Sequence, residues 1–145
     1  MKEYKNVKPK FAHEFFEAIE KSDNRKATLW DYGQLPPLNY LLAMNFDSTV
    51  EFSLPEGMPP YNRNESDHPD LYAPLASNIK RIMLCLKSDK RTRQIKKEAI
   101  FIQMLEGINP KEADILVSAK DKALHEIYPW LTKELVQEVL PQFVK

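Results

Sequence analysis

The sequence predicts an all-α fold, a compact bundle of about six helices with one long proline-rich extended insertion over 46–70. Three observations carry that prediction. Apolar residues recur at helical spacing through both flanks of the 145-residue chain. Eleven prolines stand against three glycines, and seven of them (Pro36, Pro37, Pro55, Pro59, Pro60, Pro69 and Pro74) fall between residues 36 and 74, where they leave little room for regular structure. A single run, 49–54, alternates as a strand does.

In chain order, Phe11, Phe15, Ala18 and Ile19 recur with Glu14, Glu17 and Glu20 between them, which predicts an amphipathic helix over 10–22. Residues 27–33 add a turn or two around Trp30, with Gly33 as the stop. Pro36 and Pro37 sit where a first-turn proline is tolerated, and Leu38, Leu41, Leu42 and Met44 carry a short helix to Asn45. In 49–54, Val50, Phe52 and Leu54 share one side. A lone strand cannot satisfy its own ladder, so it lies extended across the helices or pairs with another chain. After the Pro55-Glu56-Gly57 turn, 46–61 is expected to be ordered and the polar 62–70 stretch mobile.

Leu75, Ile79, Ile82, Met83 and Leu86 form one helical stripe that ends near Lys87-Ser88-Asp89. The next helix, over 90–106, is basic in its first half. In its second half Ile95, Ala99, Ile100, Phe101, Ile102, Met104 and Leu105 cover nearly every face, which marks it as the central core element, with Gly107 just beyond its end. Asn109-Pro110-Lys111-Glu112 then places a capping residue, a first-turn proline and a third-position carboxylate in register for a new helix. Ala113, Leu116 and Val117 line its core face. Pro129 interrupts, Thr132 caps again, and Leu135, Val136, Val139 and Leu140 form a last short helix. The whole of 1–145 reads as a single domain.

A mass of 16.9 kDa, 43% hydrophobic residues and 29% charged residues give a globular balance. Twenty-one basic side chains match 21 acidic ones, which excludes a histone-like or wholly acidic protein. Cys85 stands alone, so an intrachain disulfide and a cysteine-based zinc site are excluded. No apolar run approaches a membrane span and no signal-type stretch follows the basic N-terminus, so a soluble, unexported protein is expected. His13, His68 and His125 have no metal-pair spacing, and His13 and His125 read as exposed on helices. Glu65, Asp67, His68 and Asp70 read as a solvated loop, and Cys85 as a small packed residue. There is no phosphate loop or nucleophile elbow. The expectation is therefore a non-enzymatic protein with no catalytic residue, metal or cofactor.

Neutrality hides a polarised molecule. Residues 27–79 carry one positive and seven negative side chains, while 80–97 carry eight positive and one negative. The basic set is Lys80, Arg81, Lys87, Lys90, Arg91, Arg93, Lys96 and Lys97. Cations at the start of a helix oppose its macrodipole by about 0.3 to 1 kcal/mol each when exposed. Local stability does not call for them, whereas an anionic partner, either nucleic acid or the acidic 46–70 loop folding back, would. The bland alternative is a solvated face partly neutralised by Asp89, Glu98 and that loop. No aromatic residue interleaves with these charges, so DNA or RNA would be held through its phosphates with little sequence specificity. A rival reading has Val50, Phe52, Leu54 and Tyr61 dock the 46–70 segment on a partner protein.

The strings FDSTVEFSLPEGMPPY (46–61) and EAIFIQMLEGINPKEADILVSAKDKALHEIYPWLT (98–132) resemble a family of small uncharacterised proteins of large tailed bacteriophages of the myovirus type, including marine and cyanobacterial ones. The resemblance implies a phage protein acting in the host cytoplasm or in the virion, with phage or host protein as a further possible partner. It implies no activity and no catalytic residues.

Overall fold

The computed structural model describes residues 9–66, 68 and 71–144. Among these, eight α-helices follow in order: α1 (Ala12–Lys21), α2 (Arg25–Tyr32), α3 (Leu38–Phe46), α4 (Leu75–Asn78), α5 (Gln94–Gly107), α6 (Pro110–Lys120), α7 (Leu124–Ile127) and α8 (Lys133–Val139). α4 runs directly into a 3₁₀ segment, Ile79–Cys85. The fold is all-α, and the described residues contain no sheet, only an antiparallel bridge between Phe52 and Leu86.

The centre of the bundle is α6, not the second half of α5. α6 packs against α1, α3, α5 and α7, and it buries Glu112, Ala113, Ile115, Leu116, Val117, Ala119 and Lys120. α5 contributes Ile100, Phe101, Met104 and Leu105 to the core, but Ile95 and Ala99 lie on its exposed face and Ile102 is half-buried. Its apolar residues therefore do not bury all round. The helix lies on the outside of α6 and the 3₁₀ segment.

The stripe expected over 75–86 is replaced by one α-turn and the 3₁₀ segment. Ile79, Ile82 and Cys85 are buried at intervals of three residues, the repeat that stacks side chains on one face of a 3₁₀ helix. Met83 consequently faces solvent. α3 begins at Leu38, with Pro37 in the cap position. Gly33 follows α2 as expected, though with φ −68°. Its role is close approach, because a Cβ there would lie 2.4 Å from the Leu140 side chain.

The insertion is a strap laid along the helices. Its bridge is made by Ser53 N–H donating to Cys85 O (2.8 Å) and Lys87 N–H to Glu51 O (2.9 Å). Farther on, the Lys120 ammonium donates to Pro55 O and Gly57 O (2.7 and 3.1 Å), and Gly57 N–H donates to Asp121 Oδ2 at the positive-φ turn. Lys122 donates to Met44 O and Asp47 O at the end of α3. The stretch from 62 to 66, expected to be mobile, is also fastened. Asn62 N–H reaches Glu106, the Arg63 guanidinium pairs with Asp114 at 2.9 Å, and Asn64 donates to Gly107 O. Polar side chains that offer little to bury still order a chain when helix-end carbonyls and carboxylates lie within reach. Asp67, Pro69 and Asp70 lie outside the described residues.

Asn109 caps α6 as expected, its Oδ1 accepting from Lys111 N–H, but Glu112 does not turn back to close a capping box. Its Oε2 instead accepts the Ala12 N–H at 2.7 Å, so α6 caps the first turn of α1. Glu14 closes the same turn from within, accepting from Lys10 and Phe11 N–H. Glu112 is 2% exposed. Burial pushes its carboxyl up to about 7 against the pull of the Ala12 N–H, and the Glu14 charge adds to the rise. The folded protein thus keeps a proton that the unfolded chain releases above its ordinary value of 4.5. Stability present below that value should be lost as the pH rises through about 7, by on the order of 3 kcal/mol. Urea melts across this range should show the decline in the wild type and a flattened curve in Glu112→Gln. An unaltered slope in the variant would assign the titration to another group.

Candidate nucleic-acid interface

Leu86 leaves the 3₁₀ segment in an extended conformation, and Asp89 organises the approach to α5. The Asp89 Oδ1 accepts the N–H groups of Thr92 (2.9 Å) and Arg91 (3.0 Å). Those hydrogen bonds, led by that from Thr92, hold its carboxyl below the ordinary range. Asp89 is thereby committed to the backbone, whereas Arg93, at the extended N-cap of α5, makes no side-chain cap. The first turn of α5 contains no acidic residue. Positive charge is thus concentrated where the macrodipole already makes it unfavourable.

The eight cations separate into distinct groups. Lys97 is 4% exposed, and its ammonium donates to Leu86 O (2.6 Å) and Asp89 O (2.8 Å). It pins the connection between the 3₁₀ segment and α5 and cannot reach an external phosphate, which corrects its place in the binding set. Lys87 pairs with Glu51 at 3.3 Å on the surface, and Arg81 donates to Gln103 at 3.1 Å. Lys80 is exposed on the 3₁₀ segment. Lys90, Arg91, Arg93 and Lys96 are exposed, and their side chains make no hydrogen bond or ion pair among the described residues. Glu98, which the bland alternative sets against part of this face, accepts from Gln94 and makes no ion pair among the described residues. The strap meets the basic set through the Lys87–Glu51 ion pair, and farther along it is held to Gln94 and Glu106 on α5 and to Asp114 on α6.

Arg91, Arg93 and Lys96 surround an open depression of about 550 Å³ with Leu84, Ile95 and Ala99. No carboxylate lines it among the described residues. Ile95 is 77% exposed. The apolar character of this surface escapes a reading based on charge, but the burial of Lys97 was recoverable. It shares helical spacing with Ile100, Phe101 and Met104, and those residues are buried.

The proposed docking residues are placed differently. Phe52, Leu54 and Tyr61 pack against the protein's own core, and Val50 is half-buried. A second cavity, of about 350 Å³, separates the strap from α5, with Leu54, Pro55, Met58 and Pro60 on one side and Phe101 and Ile102 on the other. Cys85 is buried in the core, its Sγ 3.4 Å from Lys97 O, and burial pushes its thiol up to about 11. His13 is half-buried with its ring stacked on Phe11, not exposed, and burial lowers its pKa. His125 is exposed. The described residues include no group of three or more His, Cys, Asp or Glu placed to hold a metal ion. No helix among them is long and apolar enough to cross a membrane.

Fold and surface together define a small all-α domain with an uncompensated cationic helix start. The chain belongs to a family of unknown function, DUF6433, whose model matches residues 16–126. No curated protein and no solved structure matches it.

Proposed function

We propose that this is a non-enzymatic phage accessory protein that binds nucleic acid, alone or within a nucleoprotein complex, through the cationic start of α5. The observation that carries this reading is the absence of internal counter-ions for Lys90, Arg91, Arg93 and Lys96 among the described residues. Four cations placed against a helix dipole cost stability and are balanced by phosphate. The likeness of 46–61 and 98–132 to proteins of large tailed phages supports action in the host cytoplasm or in the virion. Docking through Val50, Phe52, Leu54 and Tyr61 has less support, because the strap already uses much of its apolar surface and several of its backbone groups within the chain.

With about four phosphates neutralised, log affinity for duplex DNA should fall against log salt with a slope near −3 to −4. Arg91→Glu with Arg93→Glu should abolish retention on immobilised DNA and RNA while leaving the thermal melt intact. No retention at low salt, or retention unchanged by the double substitution, would transfer the assignment to a protein partner.

A further inference from the structure

We infer that the depression at the start of α5 takes single-stranded nucleic acid in preference to duplex, with unstacked bases covering Ile95 and Leu84 while Arg91, Arg93 and Lys96 hold the flanking phosphates. This rests on the nucleic-acid reading and adds to it the class of strand. The starting point is the pairing of opposite surface characters in one place. Three cations without internal counter-ions stand around an apolar patch in a depression of about 550 Å³, and Ile95 is the most exposed of the large hydrophobic side chains in the described residues.

A duplex presents its phosphates outward and keeps its base faces stacked inside, so it can answer the cations but leaves the apolar patch facing water. A single strand presents both. Its backbone satisfies the guanidinium and ammonium groups, and its base faces are flat, weakly hydrated surfaces that can lie on aliphatic side chains and on the planes of Arg91 and Arg93. The patch contains no aromatic residue. Base contact here is therefore weaker than on an aromatic platform and indifferent to sequence.

Fluorescence anisotropy with four probes at one low salt concentration tests this: a short single strand, the duplex of the same sequence, an abasic strand of the same length and charge, and vesicles of anionic lipid. The single strand should bind about 5- to 10-fold more tightly than the abasic strand or the duplex, the factor expected when about one base is covered. Ile95→Ser changes an exposed side chain and should leave the fold unaltered. It should remove most of that advantage without changing duplex affinity. Equal binding of the single and abasic strands, or an advantage that survives Ile95→Ser, overturns the single-strand assignment and leaves the nucleic-acid reading standing. Binding to vesicles with none to any oligonucleotide overturns both.

Discussion

Phe101→Ala is expected to destabilise the protein by about 3 to 5 kcal/mol, a large part of the stability of a domain this size. Phe101 is 2% exposed on the face of α5 turned to the core, and it also forms a wall of the cavity beneath the strap. Removing the ring would join its volume to an existing space of about 350 Å³, which the surrounding prolines are too stiff to collapse into. The Lys120 ammonium lies 5.7 Å from the ring centroid and would lose that favourable contact as well. Urea melts should show a lowered midpoint with an unchanged slope. A loss below about 1 kcal/mol would mean that the core does not depend on this half of α5.

Lys120→Met should cost about 3 kcal/mol, the lower end of the penalty for removing one partner of a buried ion pair. The Lys120 side chain is 2% exposed and its ammonium lies 2.7 Å from Asp121 Oδ1, while it also donates to two carbonyls of the strap. Asp121 retains some water, at 17% exposure, and keeps its hydrogen bond from Gly57 N–H, which holds the cost below the upper end of that range. Because Lys120 and Phe101 touch, the double variant should lose less than the sum of the two single losses. Strict additivity, measured by the same melts, would show that the ammonium and the ring act separately.

Much of the helical framework was legible in the sequence, since periodicity and caps report local preferences. The apolar spacing of Phe15 and Ile19, the Asn109-Pro110 start and the Thr132 cap each correspond to an observed helix or cap. The identity of the central helix was not legible. α6 is built from small residues such as Ala113 and Ala119 and from buried charges at Glu112 and Lys120, so its composition understates its burial. Ile95, Ala99 and Ile102 made α5 look more deeply set than it is. Over 75–86, a three-residue repeat of apolar side chains fits both an α-helix and a 3₁₀ helix across so short a run, and tertiary packing decided between them. At the candidate interface, the run of charge was evident but its division was not. Lys97, Lys87 and Arg81 acquire partners only from residues distant in sequence or from backbone carbonyls, and these are invisible to composition.

The strap also bears on the order in which the chain assembles. Its hydrogen bonds join residues 41 apart at Ser53 and Gln94, 51 at Arg63 and Asp114, and 65 at Pro55 and Lys120. The bond from Ala12 to Glu112 spans 100. Such closures follow the local helices, because the entropy of a long loop must be given up before any contact rewards it. During synthesis α1, α2 and α3 leave the ribosome well before α6 does, and the 46–66 stretch emerges with its apolar side chains uncovered and its clasp still unmade. The three prolines of this stretch, Pro55, Pro59 and Pro60, follow directly on its strand-like run and cut short the length over which it could pair with a neighbouring chain while it waits.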